Sequence, residues 1–531
     1  MRIFKNTLSL IIILCAATAV FSQLPYVDPT FNGNGKSIVD FTNNDDLVSE
    51  VLFQSTGKIV LAGTSNMHTF MTSLTTYFAL TRLNTDGTLD TTFGSNGKTA
   101  VDFSPLAHED FIFSAAIQPD DKIVAAGLIH ITLGGDLKVA IMRFNADGSV
   151  DAGFGADGKV TATFAGSPSS EAHAVTVTPS GEIVISGRYW NGSTVEMGAM
   201  RLSPTGDVLA TMTTTGTGGA VGMNTANAVS VQPDGKIVVG GHIQRTGQNY
   251  DNIKLMRFNP DGSQDSAFGD GGVFWENNFV DEEINDIEIL PDGKIVACGK
   301  RLKDFLLIRL LPNGQPDPTF GTNGRVVTTF NSSYAIPYRM VVRPNGKILL
   351  AGRSVNDMAL AYYNADGSPD TSFDEDGKLA FNFPATSEFI IPAAVAVDGD
   401  GRVVVGGTSN DGLSSPGFAA TRLKSLDVFP VTITGRTLTQ GGQPIRNAIV
   451  TITDPLGQTL QTVTSSLGYY RFSVMSGQTY TLTASQKRFR FQPAAITVNG
   501  SIADLDLIGQ SPQESLTGVK SVPDRKVRSL K

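Results

Sequence analysis

Cysteine is scarce in this chain: its 531 residues include only Cys15 and Cys298. Cys15 lies in an apolar segment near the N-terminus, and removal of that segment would leave one thiol that cannot form an internal disulfide. The folded chain is then expected to be held together by packing. Cys298 lies in KIVACGK, where similar segments of the chain carry Ala, Ser or Gly. We therefore interpret it as a small buried strand residue rather than a catalytic thiol.

Basic charge is also in short supply. The net charge of −9 argues against a nucleic-acid partner, because such proteins normally carry a basic stripe. None of the five histidines forms a spaced pair with another His or with Glu that would suit zinc, and we expect them on the surface between strands: His68, His108, His130, His173 and His242. A Gly-x-Ser-x-Gly elbow and a phosphate-binding glycine loop are both absent. The sequence predicts no enzyme activity, no metal and no cofactor.

Long apolar runs are missing except at the N-terminus. Arg2 and Lys5 precede LSLIIILCAATAV, an apolar run shorter than the length that a membrane-spanning helix normally needs. We interpret residues 1–22 as a secretory signal peptide, which predicts a secreted, periplasmic or cell-surface protein with no stable membrane span after cleavage. An uncleaved anchor is the alternative. A lipoprotein signal at Cys15 is disfavoured because Leu14 stands where a small residue is needed.

Helical periodicity is absent, and a repeat takes its place. VQPDGKIVVGG at 231–241 returns six more times in altered form, and a second element such as KLMRFNPDGSQDSAFGDGGVF at 254–274 recurs with it. One aspartate of each unit marks a spacing of 52–62 residues, which gives seven units: Asp28, Asp90, Asp151, Asp207, Asp265, Asp317 and Asp370. Such a period indicates one repeated supersecondary unit.

Each unit contains four candidate strands, which in the fourth unit are 228–232, 236–241, 254–259 and 272–277. Pro-Asp-Gly turns join the first pair, and the nearly all-apolar KIVVGG is typical of a strand buried on both faces. The pattern predicts an all-β fold with a seven-bladed β-propeller over 28–427. The last unit lacks its fourth strand, so we expect KSIVDF at 36–41 to complete that blade and close the ring.

These units resemble the delta-60 repeat of bacterial secreted proteins and, more loosely, the NHL-type propeller unit. The resemblance covers 28–427 and implies the propeller architecture, but the family has no single activity to carry over. Unit three departs from it by losing its Phe-Gly corner at LATMTTTGTGG.

Residues 430–508 form a separate module of six or seven short strands, which predicts a small β-sandwich. Its segments are similar to the carboxypeptidase regulatory-like domain, a transthyretin-like accessory fold, although Ser465 and Ser466 replace the acidic residue common before Gly-x-Tyr. The matching residues are Gly435, Pro444, Ala448, Val450, Gly468, Tyr470, Phe472, Gly477 and Tyr480. Residues 509–531 lack apolar periodicity, and we expect a flexible basic tail.

Two recurring polar features require an interpretation. An arginine recurs on the third strand of six units with an aspartate six to eight residues later, and we predict a buried Arg–Asp bridge rather than a ring of ligand-binding arginines. The acidic turns 374–378 and 398–402 resemble fragments of calcium loops, but other units carry Ser, Thr or Asn there, which favours a structural turn.

The segments between the second and third strands differ most among units, and variable loops on a rigid scaffold commonly bind ligands. Tyr189, Trp190 and Tyr250 are the candidate contacts for a sugar or peptide. We expect a binding or scaffold protein whose partner is a protein or polysaccharide of the cell envelope, with the sandwich as an accessory or attachment module. The alternatives are a carbohydrate-active lyase or hydrolase that uses the propeller funnel, and a purely structural envelope component.

Overall fold

Short apolar segments separated by turns form strands throughout the described residues, and all but one of the strand pairs are antiparallel. The computed structural model describes residues 27–41, 45–67, 76–103, 110–130, 136–213, 223–244, 250–276, 279–330, 334–355, 357–374, 376–381, 389–398, 402–410, 416–424, 430–455, 457–475, 478–498 and 502–511. The predicted signal peptide and nearly all of the predicted tail lie outside these residues. The chain divides into two compact units, Met1–Lys424 and Ser425–Lys531.

The described residues of the first unit form 28 strands. In chain order they are β1 (Lys36–Val39), β2 (Asp45–Phe53), β3 (Ile59–Met67), β4 (Tyr77–Leu83), β5 (Lys98–Val101), β6 (Asp110–Ile117), β7 (Ile123–His130), β8 (Leu137–Phe144), β9 (Lys159–Ala162), β10 (Ser170–Val177), β11 (Ile183–Trp190), β12 (Val195–Leu202), β13 (Val208–Thr213), β14 (Asn224–Val231), β15 (Ile237–Gln244), β16 (Asp251–Phe258), β17 (Val273–Trp275), β18 (Glu282–Ile289), β19 (Ile295–Arg301), β20 (Asp304–Leu310), β21 (Arg325–Thr328), β22 (Ala335–Val342), β23 (Ile348–Ser354), β24 (Asp357–Tyr363), β25 (Lys378–Phe381), β26 (Phe389–Val397), β27 (Val403–Asn410) and β28 (Phe418–Leu423). Two single-turn 3₁₀ segments, Phe31–Gly33 and Phe164–Gly166, accompany them.

These strands form seven four-stranded antiparallel sheets within the described part of the chain. Blades 1 to 6 are β2–β5, β6–β9, β10–β13, β14–β17, β18–β21 and β22–β25, each in sequence order from the inside outwards. Blade 7 has the order β26-β27-β28-β1. The predicted seven-bladed propeller is therefore confirmed.

The N-terminal strand closes the ring as predicted. Residues Lys36–Val39 of β1 pair in antiparallel register with 418–421 of β28. The amide of Asp28 donates a hydrogen bond to the carbonyl of Arg422 at 2.9 Å. Because the first and last parts of the propeller sequence share one sheet, blade 7 has no unpaired outer edge at β28.

The propeller has two chemically different faces. The glycine turns between first and second strands, and those after third strands, lie at one end of the blades, which we call the turn face. The segments between second and third strands, and the links from one blade to the next, lie at the other end, which we call the loop face. This assignment follows from the antiparallel strand order, since every hairpin reverses the chain direction.

Every innermost strand contains a β-bulge at the same place, and the bulge explains the last glycine of KIVVGG. In blade 4 the pairing register shifts between Ala226 and Ala228, opposite Gly241 and Gly240. A Cβ built on Gly241 would lie 1.9 Å from the carbonyl oxygen of Thr225, which no side chain could tolerate. Equivalent glycines with equally close approaches occur in blades 1, 2, 3, 5 and 6: Gly63, Gly127, Gly187, Gly299 and Gly352.

The hydrophobic core lies between adjacent blades. Each second strand is buried on both faces, as the run Ile237, Val238 and Val239 of β15 shows, and this confirms the prediction from its unbroken apolar pattern. The apolar faces of neighbouring blades pack on one another, so stability is distributed over all blade contacts.

The second unit is a two-sheet β-sandwich. Its strands are β29 (Pro430–Thr439), β30 (Ile449–Thr453), β31 (Thr459–Val463), β32 (Tyr469–Met475), β33 (Gln478–Ser485), β34 (Arg490–Phe491), β35 (Ala494–Val498) and β36 (Leu507–Gln510). The sheet orders are β32-β29-β36-β34 and β31-β30-β33-β35. Tyr470, Phe472 and Val474 enter the core from alternate positions of β32. The sandwich and its alternation are as predicted, and the short β34 is an additional strand.

Among the described residues, we find no helix with the length and apolar character required to cross a bilayer.

Candidate functional site

The recurring arginine of each regular blade is fixed by one set of contacts. In blade 4, Arg257 Nε donates a hydrogen bond to Asp265 Oδ2 at 2.8 Å, and both side chains are more than nine-tenths buried. The guanidinium lies over the Phe268 ring, 4.8 Å from its centroid, and donates to the carbonyl of Pro312 in blade 5. The predicted bridge recurs in Arg82–Asp90, Arg143–Asp151 and Arg309–Asp317. In blade 7, Arg422 makes the equivalent bridge with Asp28 of the N-terminal segment rather than with a later aspartate. In blade 3 the prediction is wrong, because Arg201 pairs with Glu182 and not with Asp207. These saturated arginines join adjacent blades and are not available to a ligand.

Two blades depart from this arrangement and still pair their charges. In blade 3, Glu182 replaces the residue that is lysine in five other blades, and it accepts a hydrogen bond from Arg201 at 2.7 Å. In blade 6, Tyr362 replaces the arginine, and Lys347 Nζ lies 2.5 Å from Asp370 instead. The turn face is therefore a structural feature in every blade, whichever residues supply the charges.

The innermost strands of all seven blades surround a central cavity of about 310 Å³. Directly after each bulge, one residue per blade forms a layer: Glu50, Ser114, Ala174, Ala228, Asp286, Arg339 and Ala394. Two residues further along each strand a second layer follows: Leu52, Ala116, Thr176, Ser230, Glu288, Val341 and Ala396. The repeat therefore places mainly small or apolar residues here, and four charged residues interrupt it.

Those four charged residues line the same cavity. Arg339 Nη2 lies 3.1 Å from Glu50 Oε2, although the two residues belong to blades 6 and 1. The small Ala394 of blade 7 occupies the intervening position of the layer. Asp286 Oδ2 accepts a hydrogen bond from the amide of Met340 at 2.8 Å, which joins blades 5 and 6.

Burial and neighbouring charges shift the pKa values of the ionisable residues in the cavity, and they do so to different extents. Burial, together with the negative charge of Asp286, raises the pKa of Glu288 to about 8. Burial also raises the pKa of Asp286, although the charge of Arg339 opposes this. For Arg339, burial acts to lower the pKa, but Glu50 and Asp286 outweigh it and raise the value, so the guanidinium stays protonated. Burial also raises the pKa of Glu50, although the charge and hydrogen bond of Arg339 oppose this. The cavity therefore contains one carboxyl group bonded to a guanidinium, one bonded to backbone amides and one that is mostly neutral at pH 7.

This cluster was not predicted from the sequence, because it corresponds to no motif within one stretch of chain. Glu50, Asp286 and Arg339 are far apart in sequence, and only the ring brings them together. A signal was nevertheless present: alignment of the repeat units with one another shows charged residues at positions where other units carry Ala, Ser or Val.

At the cavity's loop-face side, the bulge residues form a polar and aromatic layer. His173 stacks on Phe113 with ring centroids 5.1 Å apart, and its Nε2 lies 3.2 Å from Glu171 Oε2. Asn227 and Asn285 donate hydrogen bonds of 3.0 Å to backbone carbonyls of the following blade. The predicted surface position of the histidines is therefore wrong for His173, because β10 begins earlier than its apolar pattern suggested.

The other histidines lie partly in strands and partly outside the described residues. His242 lies within β15 and is half-buried, and desolvation by burial lowers its pKa. His130 ends β7 and is half-buried. His68 and His108 lie outside the described residues. Surface placement is thus wrong for His242 as well, since β15 continues beyond KIVVGG.

The loop face carries apolar side chains in backbone conformations that such residues rarely adopt. Leu302 and Val355 have φ of 54° and 57°, and their side chains are 51% and 44% exposed. Each lies directly after a second strand, and each amide donates a hydrogen bond to a carbonyl just before the innermost strand of its blade. Trp190 has the same position and the same hydrogen bond in blade 3, with 40% exposure. Phe279, on the link into blade 5, has φ of 56° and is 73% exposed.

The three predicted contact residues lie at this face with different accessibility. Tyr189 is only 6% exposed and packs against Phe164 in the core, so its ring is not available to a ligand. Trp190 is exposed beside it. Tyr250 is half-buried, and its ring lies 6.3 Å from that of Phe279. The structure therefore places Trp190 and Tyr250 on the loop face and Tyr189 beneath it.

The acidic turns fall partly outside the described residues. In the part that is described, Asp398 Oδ2 lies 2.7 Å from Arg402 Nε, and the amide of Lys378 donates to Asp376 Oδ1 at 3.1 Å. No group of three or more His, Cys, Asp or Glu side chains among the described residues could hold a metal ion.

Comparison with known proteins identifies both parts of the chain. Residues 54–93, 118–154, 232–268, 290–320 and 343–373 match a family described as "Domain of unknown function (DUF5122) beta-propeller". Residues 432–507 match the carboxypeptidase regulatory-like domain. No curated protein matches the chain at a significant level.

Several solved structures are similar to this chain at low identity. A virginiamycin B lyase from Staphylococcus aureus is 11% identical, with a TM-score of 0.41, and the match covers 73% of this chain and 98% of the lyase. PorZ, a bacterial surface component of the type-IX secretion system of Porphyromonas gingivalis, is 12% identical with a TM-score of 0.42, covering 88% of this chain and 60% of PorZ. The polysaccharide lyase Uly1 is 11% identical with a TM-score of 0.45, covering 71% of this chain and 90% of Uly1. At this distance the likenesses concern the fold alone. The chain therefore contains a seven-bladed β-propeller whose units match the DUF5122 family in five segments, followed by a sandwich that matches the carboxypeptidase regulatory-like domain.

Proposed function

We propose that this chain is a non-catalytic binding protein of the cell envelope or the secreted fraction. In this proposal the propeller is a rigid platform, and its loop face recognises a protein or polysaccharide of the envelope. The sandwich serves as an accessory or attachment module. The predicted signal peptide supports the location.

The observation that carries the proposal is the strained apolar pair Leu302 and Val355. A left-handed backbone costs an L-residue about 1–2 kcal/mol, and a β-branched residue such as Val355 is especially unfavourable there. Gly, Asn or Asp would relieve this strain and would also avoid exposing an apolar side chain. The chain instead keeps large apolar groups at equivalent positions of blades 5 and 6, and Trp190 occupies the same position in blade 3. Exposed apolar groups with an energetic cost to the fold are typical of binding surfaces.

In blade 5, ion pairs lie within a few residues of Leu302 and Phe279. Lys300 Nζ lies 3.0 Å from Asp281 Oδ2, and Arg325 Nη2 lies 2.5 Å from Glu282 Oε1. Apolar contacts accompanied by polar residues are usual in recognition sites. The turn face differs, since its glycine turns are capped by their own polar side chains, as in Asp261 to Ser263.

The test is saturable binding of the full chain to fractionated envelope and to a polysaccharide panel. The informative variant is Leu302→Asn together with Val355→Asn, because Asn accepts the left-handed conformation. We expect binding to weaken at least about tenfold, since interface anchors commonly contribute more than 1.4 kcal/mol. The free energy of unfolding should stay equal or rise, which separates loss of recognition from loss of fold.

A matched control is Val327→Asn, which removes a similarly exposed apolar side chain from the outer strand β21. This variant should bind normally. Equal binding by the double variant and the wild type would refute the loop-face assignment, and an absence of saturable binding would favour a purely structural component. Turnover of any polysaccharide in the panel would contradict the non-catalytic proposal.

A further inference from the structure

The central cavity contains more carboxyl groups than the fold requires. Its volume of about 310 Å³ is at the lower end of the range for small-molecule sites, roughly 300–1,000 Å³. Three carboxyl groups, Glu50, Asp286 and Glu288, share it with a single guanidinium, that of Arg339. All seven innermost strands contribute to its lining, so the site is built on rigid elements.

The ion pair within the cavity satisfies only one of these carboxyl groups. Glu50 accepts from Arg339 at 3.1 Å and from Ser114 Oγ at 3.4 Å. The two oxygens of Asp286 accept backbone amide hydrogens, from Met340 at 2.8 Å and from Ile287 at 2.9 Å. The half-buried carboxyl group of Glu288 has no hydrogen-bond or ion-pair partner among the described residues.

The internal repeat shows that this arrangement is not needed for folding. Six other blades build the same position as Glu288 with Leu, Ala, Thr, Ser, Val and Ala, and four build the position of Asp286 with Ala or Ser. Burying an unpaired carboxyl group is costly, and perturbed acids in a cavity are typical of functional sites. Blade 5 alone places two carboxyl groups in succession on the same side of its innermost strand, because Asp286 and Glu288 are two residues apart.

We infer that the central cavity binds a cationic group, an ammonium or guanidinium that donates hydrogen bonds to Glu288 and Asp286. This inference does not depend on the proposed loop-face function. A long basic side chain of a peptide and an amino sugar both offer the required chemistry: one positive charge with several N–H donors. Asn227 and Asn285 lie at the same cavity and would orient the neutral part of such a ligand.

Binding of a cation should depend on pH in a predictable direction. Glu288 faces Asp286 on its own strand, the buried Cys298 of β19, Arg339 of β22 and, further across, Glu50 of β2. Because Glu288 is mostly protonated at pH 7, a cation must displace its proton, and the affinity should rise as the pH rises towards 8. The thiol remains neutral in this range, since burial raises its pKa, and Arg339 remains charged.

The experiment is calorimetric titration of the full chain with N-acetyl-arginine amide and with glucosamine at pH 6.5, 7.5 and 8.5. The arginine derivative keeps its charge throughout, so its affinity should rise by up to about tenfold per pH unit below pH 8, with proton release in buffers of different ionisation enthalpy. The neutral analogues N-acetyl-citrulline amide and N-acetylglucosamine should not bind. Tighter binding of one cation than the other identifies a basic side chain or an amino sugar as the source.

The matched variants are Glu288→Gln and, on the same strand but outside the cavity, Glu283→Gln. We expect Glu288→Gln to lose the pH dependence and to weaken binding at pH 8.5 at least about tenfold, while Glu283→Gln behaves as wild type. Unchanged far-UV circular dichroism would show that both variants are folded. Equal binding of the neutral analogues, an unaffected Glu288→Gln variant, or no binding of either cation at millimolar concentration would each overturn the inference.

Discussion

The substitution Arg257→Ala tests how the blades are held together. It removes the hydrogen bond to Asp265, the contact with the Phe268 ring and the hydrogen bond to the carbonyl of Pro312 in the next blade. Asp265 keeps a second partner, because Lys236 Nζ lies 3.0 Å from its Oδ2. Breaking a buried ion pair on one side costs about 3–5 kcal/mol, and the remaining lysine places the expected loss near the lower end, about 3 kcal/mol.

Urea denaturation followed by tryptophan fluorescence measures this loss. Both tryptophans of the chain, Trp190 and Trp275, lie in the propeller, so their emission reports its unfolding. A control, Arg471→Ala, removes an exposed arginine from the sandwich and should leave this transition unchanged. The reasoning is refuted if Arg257→Ala changes the free energy of unfolding by less than about 0.5 kcal/mol, the range of ordinary surface substitutions. A double-mutant cycle with Asp265→Asn should show coupling of about 1 kcal/mol or more.

Four further predictions concern other parts of the fold. Phe31→Ala should lower the free energy of unfolding by about 4 kcal/mol in the same assay, because this fully buried ring anchors the N-terminal segment. An unchanged unfolding midpoint would show that pairing of β1 does not stabilise the closed ring. Glu182→Lys introduces the residue that five other blades carry at this position. It should nevertheless lower the free energy of unfolding by about 1–2 kcal/mol, because the lysine would face Arg201 in a half-exposed site without a carboxylate between them. An equal or higher free energy of unfolding would contradict this. The pKa of Glu288 is about 8 in the folded chain and about 4.3 when unfolded, so the folded state retains the proton and the free energy of unfolding should fall as pH rises from about 4.5 to 8. Glu288→Gln should abolish most of this fall and, relative to its effect near pH 4, gain about 4–5 kcal/mol over wild type at pH 8. Parallel pH profiles of the two proteins would refute this. Cys298 is fully buried and burial raises its thiol pKa, so a thiol reagent should modify it only in denaturant; rapid labelling of the native chain would disprove that placement.

The repeat was enough to predict the architecture, because each unit encodes its own strands. Pro-Asp-Gly and Asn-x-Asp-Gly turns fix where hairpins reverse, and an unbroken apolar run such as Ile237–Val239 can be satisfied only by burial on both faces. The absence of a fourth strand in the last unit, with a spare KSIVDF near the N-terminus, was sufficient to predict ring closure. The Arg–Asp bridge was predictable for a similar reason, since its members recur at fixed spacing within a unit.

Features that depend on contacts between distant units were not accessible in this way. Asp28 and Arg422 are 394 residues apart, and the bridge between them exists only because the ring brings the first and last segments into one sheet. The β-bulges were not predicted either, nor were the additional residues by which β10 and β14 begin earlier and which place His173 within β10. The local sequence pattern gives the period of a strand, whereas a bulge is defined by the pairing with the neighbouring strand, where two residues oppose one.

The sequence by itself determined the strands, the turns, the seven-fold repetition and the separate C-terminal sandwich, because these depend on neighbours along the chain. Only the tertiary structure decided which of the residues that depart from the repeat pattern lie close together. Three blades contribute the cavity cluster, which forms only when the ring closes: Glu50, Asp286, Glu288 and Arg339. Tyr189 and Trp190 are adjacent in sequence, yet Tyr189 is buried in the core and Trp190 is exposed to solvent. The physical reason is that burial and electrostatic coupling depend on distance in space, which sequence separation does not specify.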